Sequence, residues 1–233
     1  MNKLLAILLF PILVNANPID DKCPQFAPYG APVSIYQTDY YCRLNYAIQH
    51  NNTTKTAVFV EEHVTKESMT GPSKRKDDFR PDPDVPKQFQ ATLADDASEG
   101  KTYDRGHMAP AGDNTQTDKI MSESFLLSNM VPQIANNNRG AWRLLEAAER
   151  QWAQQPGTDF YIISGGIFDP GHPVTGNGLG IPTRLYKIIH ERTSGQTMAY
   201  LMPNAALPVA DLPKYQTTVQ AVEQATGIRF NLK

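Results

Sequence analysis

Tyr103-Asp-Arg-Gly-His-Met-Ala-Pro110 places an imidazole two residues after a guanidinium, with a glycine between them. Arg105 offers a planar, permanently charged fork that suits phosphate oxygens. Gly106 permits a sharp turn or a close backbone approach to a ligand. His107 can be neutral imidazole near pH 7, ready to accept a proton. By spacing alone the set is suggestive rather than specific, because a lone histidine is more often structural. Downstream lie Asn129-Met-Val-Pro-Gln133 and a run from Asn136 to Arg150. Across residues 140–155 the apolar side chains Ala141, Leu145, Ala148 and Trp152 recur at helical spacing, which predicts a helix with one buried stripe. Asn138 stands just ahead of that stripe, where an N-cap is its commonest task. Glu146 and Arg150 fall about 40° apart around the helix axis. Their face lies off the stripe, and on spacing alone they make an exposed ion pair worth a few tenths of a kcal/mol.

Outward from this centre, residues 46–50 and 56–64 flank a polar turn and predict a β-hairpin. The polar, proline-punctuated stretch 65–102 reads as a long loop of the kind that is functional or disordered. Residues 117–128 predict a short helix, 159–163 a buried strand, and 185–190 and 196–202 two further strands. A late helix over 217–226 is closed by Gly227. Strands dispersed among helices without a regular βαβ rhythm indicate an α+β fold. The glycine-rich loop 165–180 lacks the Gly-Lys-Ser/Thr ending of a phosphate cradle. Ser164-Gly-Gly166 lacks the glycine that a nucleophile elbow places two residues before its serine.

The chain of 233 residues is 40% hydrophobic and 20% charged, which suits one globular domain and excludes disordered, collagen-like and polytopic membrane classes. Lys3, the apolar run 4–14 and the small residue Ala16 form the pattern of a secretory signal peptide. The apolar run is too short to span a bilayer comfortably. Residues 1–16 are therefore expected to be removed, leaving 17–233 as a single domain without membrane attachment, secreted to an extracellular or periplasmic space. Cys23 and Cys42 would then meet oxidising conditions and pair as one structural disulfide, tying the mature N-terminus to the first strand. Without Lys3 the chain keeps 21 basic and 24 acidic residues, a net charge of −3. No global positive field is available for a polyanion, so a nucleic-acid partner needs a local basic strip. Lys74, Arg75, Lys76, Arg80, Arg139 and Arg143 can supply it.

The string from Asp104 to Pro110 resembles the signature of the DNA/RNA non-specific endonuclease family, the ββα-metal nucleases. Residues 127–133 resemble that family's asparagine-containing segment, and 138–150 its metal-binding helix. Residues 181–187 resemble a later strand and 223–227 the closing helix, so the likeness runs over about 42–230. It implies a ββα-metal nuclease fold of α+β class, with a central, mainly antiparallel sheet flanked by helices. The ββα element would come from the His107 strand region and the Asn138 helix. The implied function is a Mg²⁺-dependent endonuclease that hydrolyses single- and double-stranded DNA and RNA without sequence specificity, leaving 5′-phosphate and 3′-hydroxyl ends. Mn²⁺ is an acceptable substitute.

Carried over by position, the resemblance makes His107 the general base. Asn138 becomes the direct protein ligand of one Mg²⁺, an ion that often keeps several waters. Glu146 orients a metal-bound water, and Arg105 and Arg150 neutralise charge on the phosphoryl oxygens. Asp104 and Asn129 support the site, a purely structural role being equally open for both. Arg75 matches an upstream phosphate-contacting arginine, with Arg80 as a competing candidate. Two other readings stand beside this one: an inert secreted nucleic-acid-binding protein of the same fold, and a phosphodiesterase for small nucleotides.

Overall fold

The computed structural model describes residues 22–36, 38–95 and 102–232. The expected signal peptide lies outside the described residues. Eleven strands follow one another along them: β1 (Tyr40–Cys42), β2 (Tyr46–Asn51), β3 (Thr56–Val64), β4 (Tyr103–His107), β5 (Met130–Ile134), β6 (Phe160–Ile167), β7 (Val174–Thr175), β8 (Leu179–Gly180), β9 (Arg184–Glu191), β10 (Gln196–Pro203) and β11 (Gln216–Thr217). Seven of them form a central sheet in the order β1-β2-β3-β6-β9-β10-β11, with every pairing antiparallel. β4 pairs with β5, and β7 with β8, as separate two-stranded ribbons. The described residues contain no helix long and apolar enough to cross a membrane.

The continuous apolar run of β6 has a direct cause: both faces of the sheet are covered. Val60, Ile162, Leu185, Ile189 and Met202 pack on one face against Trp142 and Leu145. Phe59, Ile163, Tyr186, Ile188 and Ala199 pack on the other against Val222, Ile228 and Phe230. The sheet is thus the middle of three layers. Short helices α1 (Lys66–Met69) and α2 (Asp118–Glu123) are both started by threonine caps, Thr65 and Thr117. The helix before the sheet's centre runs from 135 to 153 as a first turn Ala135–Asn137, a π-helical turn Asn138–Trp142, and α3 (Arg143–Ala153). The late helix α4 (Val219–Thr226) is capped by Thr218 and ended by Gly227 at φ 69°, the left-handed conformation that glycine adopts without penalty.

Three expectations need correction. Asn138 is not an N-cap: the helix has already begun at Ala135, and Asn138 has helical angles, φ −54° and ψ −48°. The expected stripe of Ala141, Leu145, Ala148 and Trp152 is only half right. Ala141 and Leu145 are buried, but the fully buried tryptophan is Trp142, because the π turn shifts the helix phase. The glycine-rich segment is not all loop, since Gly165 and Gly166 lie inside β6. A Cβ on Gly165 would meet the Tyr186 hydroxyl at 2.6 Å, so the strand needs glycine to let that ring cross it.

The polar stretch after α1 is pinned down over its described part. Arg43, beside β1, binds Asp82 at 2.5 Å and Asp84 at 2.5 Å, and Asp82 also accepts from Ser128 Oγ. A Cys23–Cys42 disulfide joins the N-terminal segment to β1, as expected. Cross-linking removes loop-closure entropy from the unfolded chain, worth about 3 kcal/mol for a loop of this size. The Cys23→Ser/Cys42→Ser variant should therefore melt well below the parent while keeping its far-ultraviolet spectrum. Equal melting temperatures for the two would remove the disulfide from the stability of the fold.

Candidate active site

The pair of strands that carries the signature residues is built by a close fit. β4 and β5 run antiparallel from Tyr103 opposite Ile134 to His107 opposite Met130. Gly106 faces Val131, and a Cβ there would lie 2.1 Å from Gln133 Oε1. Glycine at 106 therefore makes room for a buried neighbouring side chain rather than for a ligand. Gln133 in turn donates to Asn137 Oδ1 at 3.3 Å. Asn129 is wholly buried and holds the segment after His107 by three bonds. It donates to the carbonyls of Ala109 and Ser124 and accepts from Ala109 N, each at 2.9 Å.

His107 is 8% exposed, and its ring meets Phe125 edge-on at 5.1 Å and Phe79 at 5.8 Å. Among the described residues its Nε2 has no hydrogen-bond partner. Burial, reinforced by the positive charge of Arg75, pushes its pKa down to about 3. The imidazole is therefore neutral throughout the physiological range.

The helix supplies the opposite wall. In a regular α-helix, residues eight and twelve apart stand about 80° and 120° away around the axis. A π turn takes in one extra residue, so Glu146 and Arg150 fall within about 20° of Asn138, one on each side. The turn at Asn138–Trp142 thus gathers all three onto one face. Asn138 Nδ2 donates to Asp104 Oδ2 at 2.8 Å. An ionised carboxylate can only accept, so the amide nitrogen is committed there and the amide oxygen is the end available to the cleft. Asp104 also binds Arg139 through two bonds, at 2.6 and 2.8 Å, which with the Asn138 amide hold its pKa below the usual range against the effect of burial.

Arg75, Arg105, His107, Asn138, Glu146 and Arg150 line one cleft of about 270 Å³. The Arg105 guanidinium lies 4.4 Å over the Phe79 ring, and that of Arg75 lies 5.0 Å over Phe125 while bonding Asp77 at 2.7 Å. Arg80 is held elsewhere, by Asp78 at 3.0 Å and the Ser122 carbonyl at 2.9 Å. Between the two candidates for the upstream contact, it is Arg75 that reaches the cleft. The ion pair expected of Glu146 and Arg150 gives way to another: Arg150 bonds the buried Asp113 at 3.0 Å. Burial raises Glu146 to about 7, with Lys187 and Arg150 opposing and Asp113 adding to the rise. Among the described residues no three His, Cys, Asp or Glu side chains are grouped to hold a metal. The one neutral oxygen of Asn138 suits only a hard cation that keeps most of its water, which is how Mg²⁺ behaves.

Sequence reasoning missed Asp113, Glu62, Glu149 and Lys187, which are buried beneath this wall. No local spacing could have revealed them, because they meet only when the helix is laid on the sheet.

The family model described as DNA/RNA non-specific endonuclease matches residues 24–233. The chain is 31% identical to a mitochondrial nuclease EXOG of Xenopus laevis over 91% of its own length and 66% of that protein's. It is 36% identical to nuclease C1 of Cunninghamella echinulata var. echinulata, over 82% of each chain. The human nuclease EXOG is longer still, and the chain spans 59% of it. Among solved structures, the crystal structure of an EndoG/EndoGI complex superposes with a TM-score of 0.78 at 27% identity, covering 89% of this chain and 90% of that one. This likeness agrees with the α+β architecture and its antiparallel central sheet.

A pH effect on stability follows from His107. Its folded-state pKa is depressed, so the unfolded chain takes up a proton first as pH falls below the ordinary histidine value near 6.5. Native stability should then fall between about 6.5 and 3, by up to about 1.4 kcal/mol per pH unit from this group. In His107→Asn that contribution is absent. Urea unfolding at a series of pH values should show the variant losing less stability than the parent on acidification. Parallel curves would mean that His107 is not held neutral by burial.

Proposed function

The chain belongs to the DNA/RNA non-specific endonuclease family, and on that premise we propose that it hydrolyses phosphodiester bonds in DNA and RNA without sequence specificity, using Mg²⁺ or Mn²⁺. The observation that carries this reading is one cleft holding a buried neutral imidazole with a free Nε2, an amide oxygen oriented by a carboxylate, and five arginines. In the proposed reaction His107 takes a proton from water as its oxygen attacks phosphorus. The bond to the 3′-oxygen breaks and that oxygen takes a proton from solvent water, leaving a 5′-phosphate and a 3′-hydroxyl. Arg105 and Arg150 stabilise the charge that builds on the phosphoryl oxygens. Glu146 accepts a hydrogen bond from water at the Asn138 end of the cleft and so holds it in place. A divalent ion on the Asn138 oxygen, when bound, polarises the scissile phosphate and stabilises the departing oxygen. Asp104 orients Asn138, and Arg75 meets a flanking phosphate.

An inert binder of the same fold is less well supported. Leaving a buried imidazole nitrogen unpaired costs stability, and capture of nucleic acid alone gives no reason to keep it. We also propose export, with residues 1–16 as the leader. The sequence pattern and the Cys23–Cys42 disulfide support an oxidising destination, although the EXOG relatives are named mitochondrial. A mature protein recovered outside the cytoplasm and beginning at Asn17 is the expected result.

Plasmid DNA and RNA incubated with the purified protein should both be degraded, with loss of activity in EDTA and recovery on adding Mg²⁺. His107→Ala should still bind nucleic acid while turnover falls at least about a hundredfold. Asn138→Ala should lose activity far beyond any loss of stability, and Asn138→Asp should keep the fold but shift the Mg²⁺ dependence. Activity that ignores EDTA, or an unchanged metal curve in Asn138→Asp, would overturn the metal reading. Discrete sequence-defined fragments would overturn non-specificity, since contacts mainly to phosphate carry no direct base information.

A further inference from the structure

Beneath the cleft, α3 and the sheet enclose a second set of charges that the reaction above does not use. Lys187 of β9 donates to Glu149 of α3 at 3.1 Å, and both side chains are fully buried. The ammonium also lies 4.9 Å over the Trp142 ring. Among the described residues, Asp113, holding Arg150 with one oxygen, has no hydrogen-bond partner for the other. Among them, too, neither carboxylate oxygen of Glu62 is partnered, nor is Glu149 Oε1. Among the described residues, the buried Glu62, Asp113 and Glu149 thus lie beneath Glu146 of the cleft, with Lys187 and Arg150 as the cations acting on them. Burial raises every one of these carboxyls, Glu62 well above the usual range and Glu149 to about 8. Burial works against the Lys187 charge, but Glu149, Glu146, Glu62 and Asp113 outweigh it and keep the ammonium protonated.

We propose that Lys187 is a positioning residue for the reaction: from the middle of the sheet it grips Glu149, which lies about one turn after Glu146 on α3, and so fixes how the helix presents Glu146 to the cleft while bringing a positive charge beneath it. This rests on the role given to Glu146 in the proposed hydrolysis. The charged groups around Glu146 are Lys187 from β9, Glu62 from β3, Asp113 from the turn after β4, and Glu149 and Arg150 from its own helix. The same helix also brings Arg139 and Arg143 to the cleft, and His107, Arg75 and Arg105 line it from the other elements. Removing the Lys187 charge takes away the field that most opposes the effect of burial on Glu146, so ionisation of Glu146 should move to higher pH.

The test compares Lys187→Met with the parent by kcat and KM across pH, and by ¹³C titration of the Glu146 carboxyl in the metal-free protein. The acid limb of kcat and the Glu146 titration should both move up by at least about one pH unit, a tenfold loss for every unit below the limb. KM should change by less than about twofold, because the substrate contacts are untouched. Should Lys187→Met fail to fold, Lys187→Met/Glu149→Gln removes both charges of the pair and should restore the fold while keeping the shift. Glu146→Gln separates the two readings. If it retains full activity, Glu146 has no part in the hydrolysis, and the carboxyl titration alone decides on Lys187. If Glu146→Gln is inactive while a folded Lys187 variant keeps the parental limb and titration, the inference about Lys187 is overturned.

Discussion

A helix that must present Asn138, Glu146 and Arg150 to one cleft cannot be a regular α-helix, because their spacing would spread them over a third of its circumference. The π turn resolves this conflict, and much else follows from it. It turns Trp142 into the core, where the indole becomes the platform under Lys187. It keeps Leu145 on the buried side while Glu146, the next residue, reaches the rim. It also leaves Asn138 in the helix proper, where Asp104 rather than the helix terminus decides how the amide is oriented.

Local pairing also reconciles an acidic chain with an arginine-lined cleft. The chain has a pI near 6.2, and several of its surface cations are already occupied by carboxylates: Arg75 by Asp77, Lys76 by Asp118 and Arg139 by Asp104. The pairs with Asp77 and Asp118 are exposed and individually weak, so an arriving anion can displace either carboxylate at little cost. Basic groups are thus kept in place without a large net positive charge.

Much of the fold was legible because its elements obey local rules. The hairpin of β2 and β3, the strands β6, β9 and β10, and the α4 helix with its Gly227 stop all followed from periodicity and turn chemistry. The family signature also led to the β4–β5–helix unit. Legibility failed where a local rule was bent by a distant partner. Asn138 looked like a cap because helical periodicity assumes 3.6 residues per turn and cannot register an extra one. Gly106 suggested a ligand, yet what approaches it is the side chain of Gln133. Glu146 and Arg150 looked like a surface pair, because nothing in their neighbourhood announces Asp113, 37 residues upstream of Arg150. Glu149 and Lys187 lie on a helix and a strand whose packing no short window contains.

The sheet's outer strands carry a consequence for solution behaviour. Its seven strands end in β1 at one side and β11 at the other, three and two residues long. A long, flat edge presents a row of unpaired amides and carbonyls on which another chain can add a strand. Here the long strands β3, β6 and β9 are all interior, while β11 partners the outer side of β10 only at Ala199 and Tyr200. A second copy adding a strand would meet just three residues of β1 on one border and would have to displace or bridge the two residues of β11 on the other.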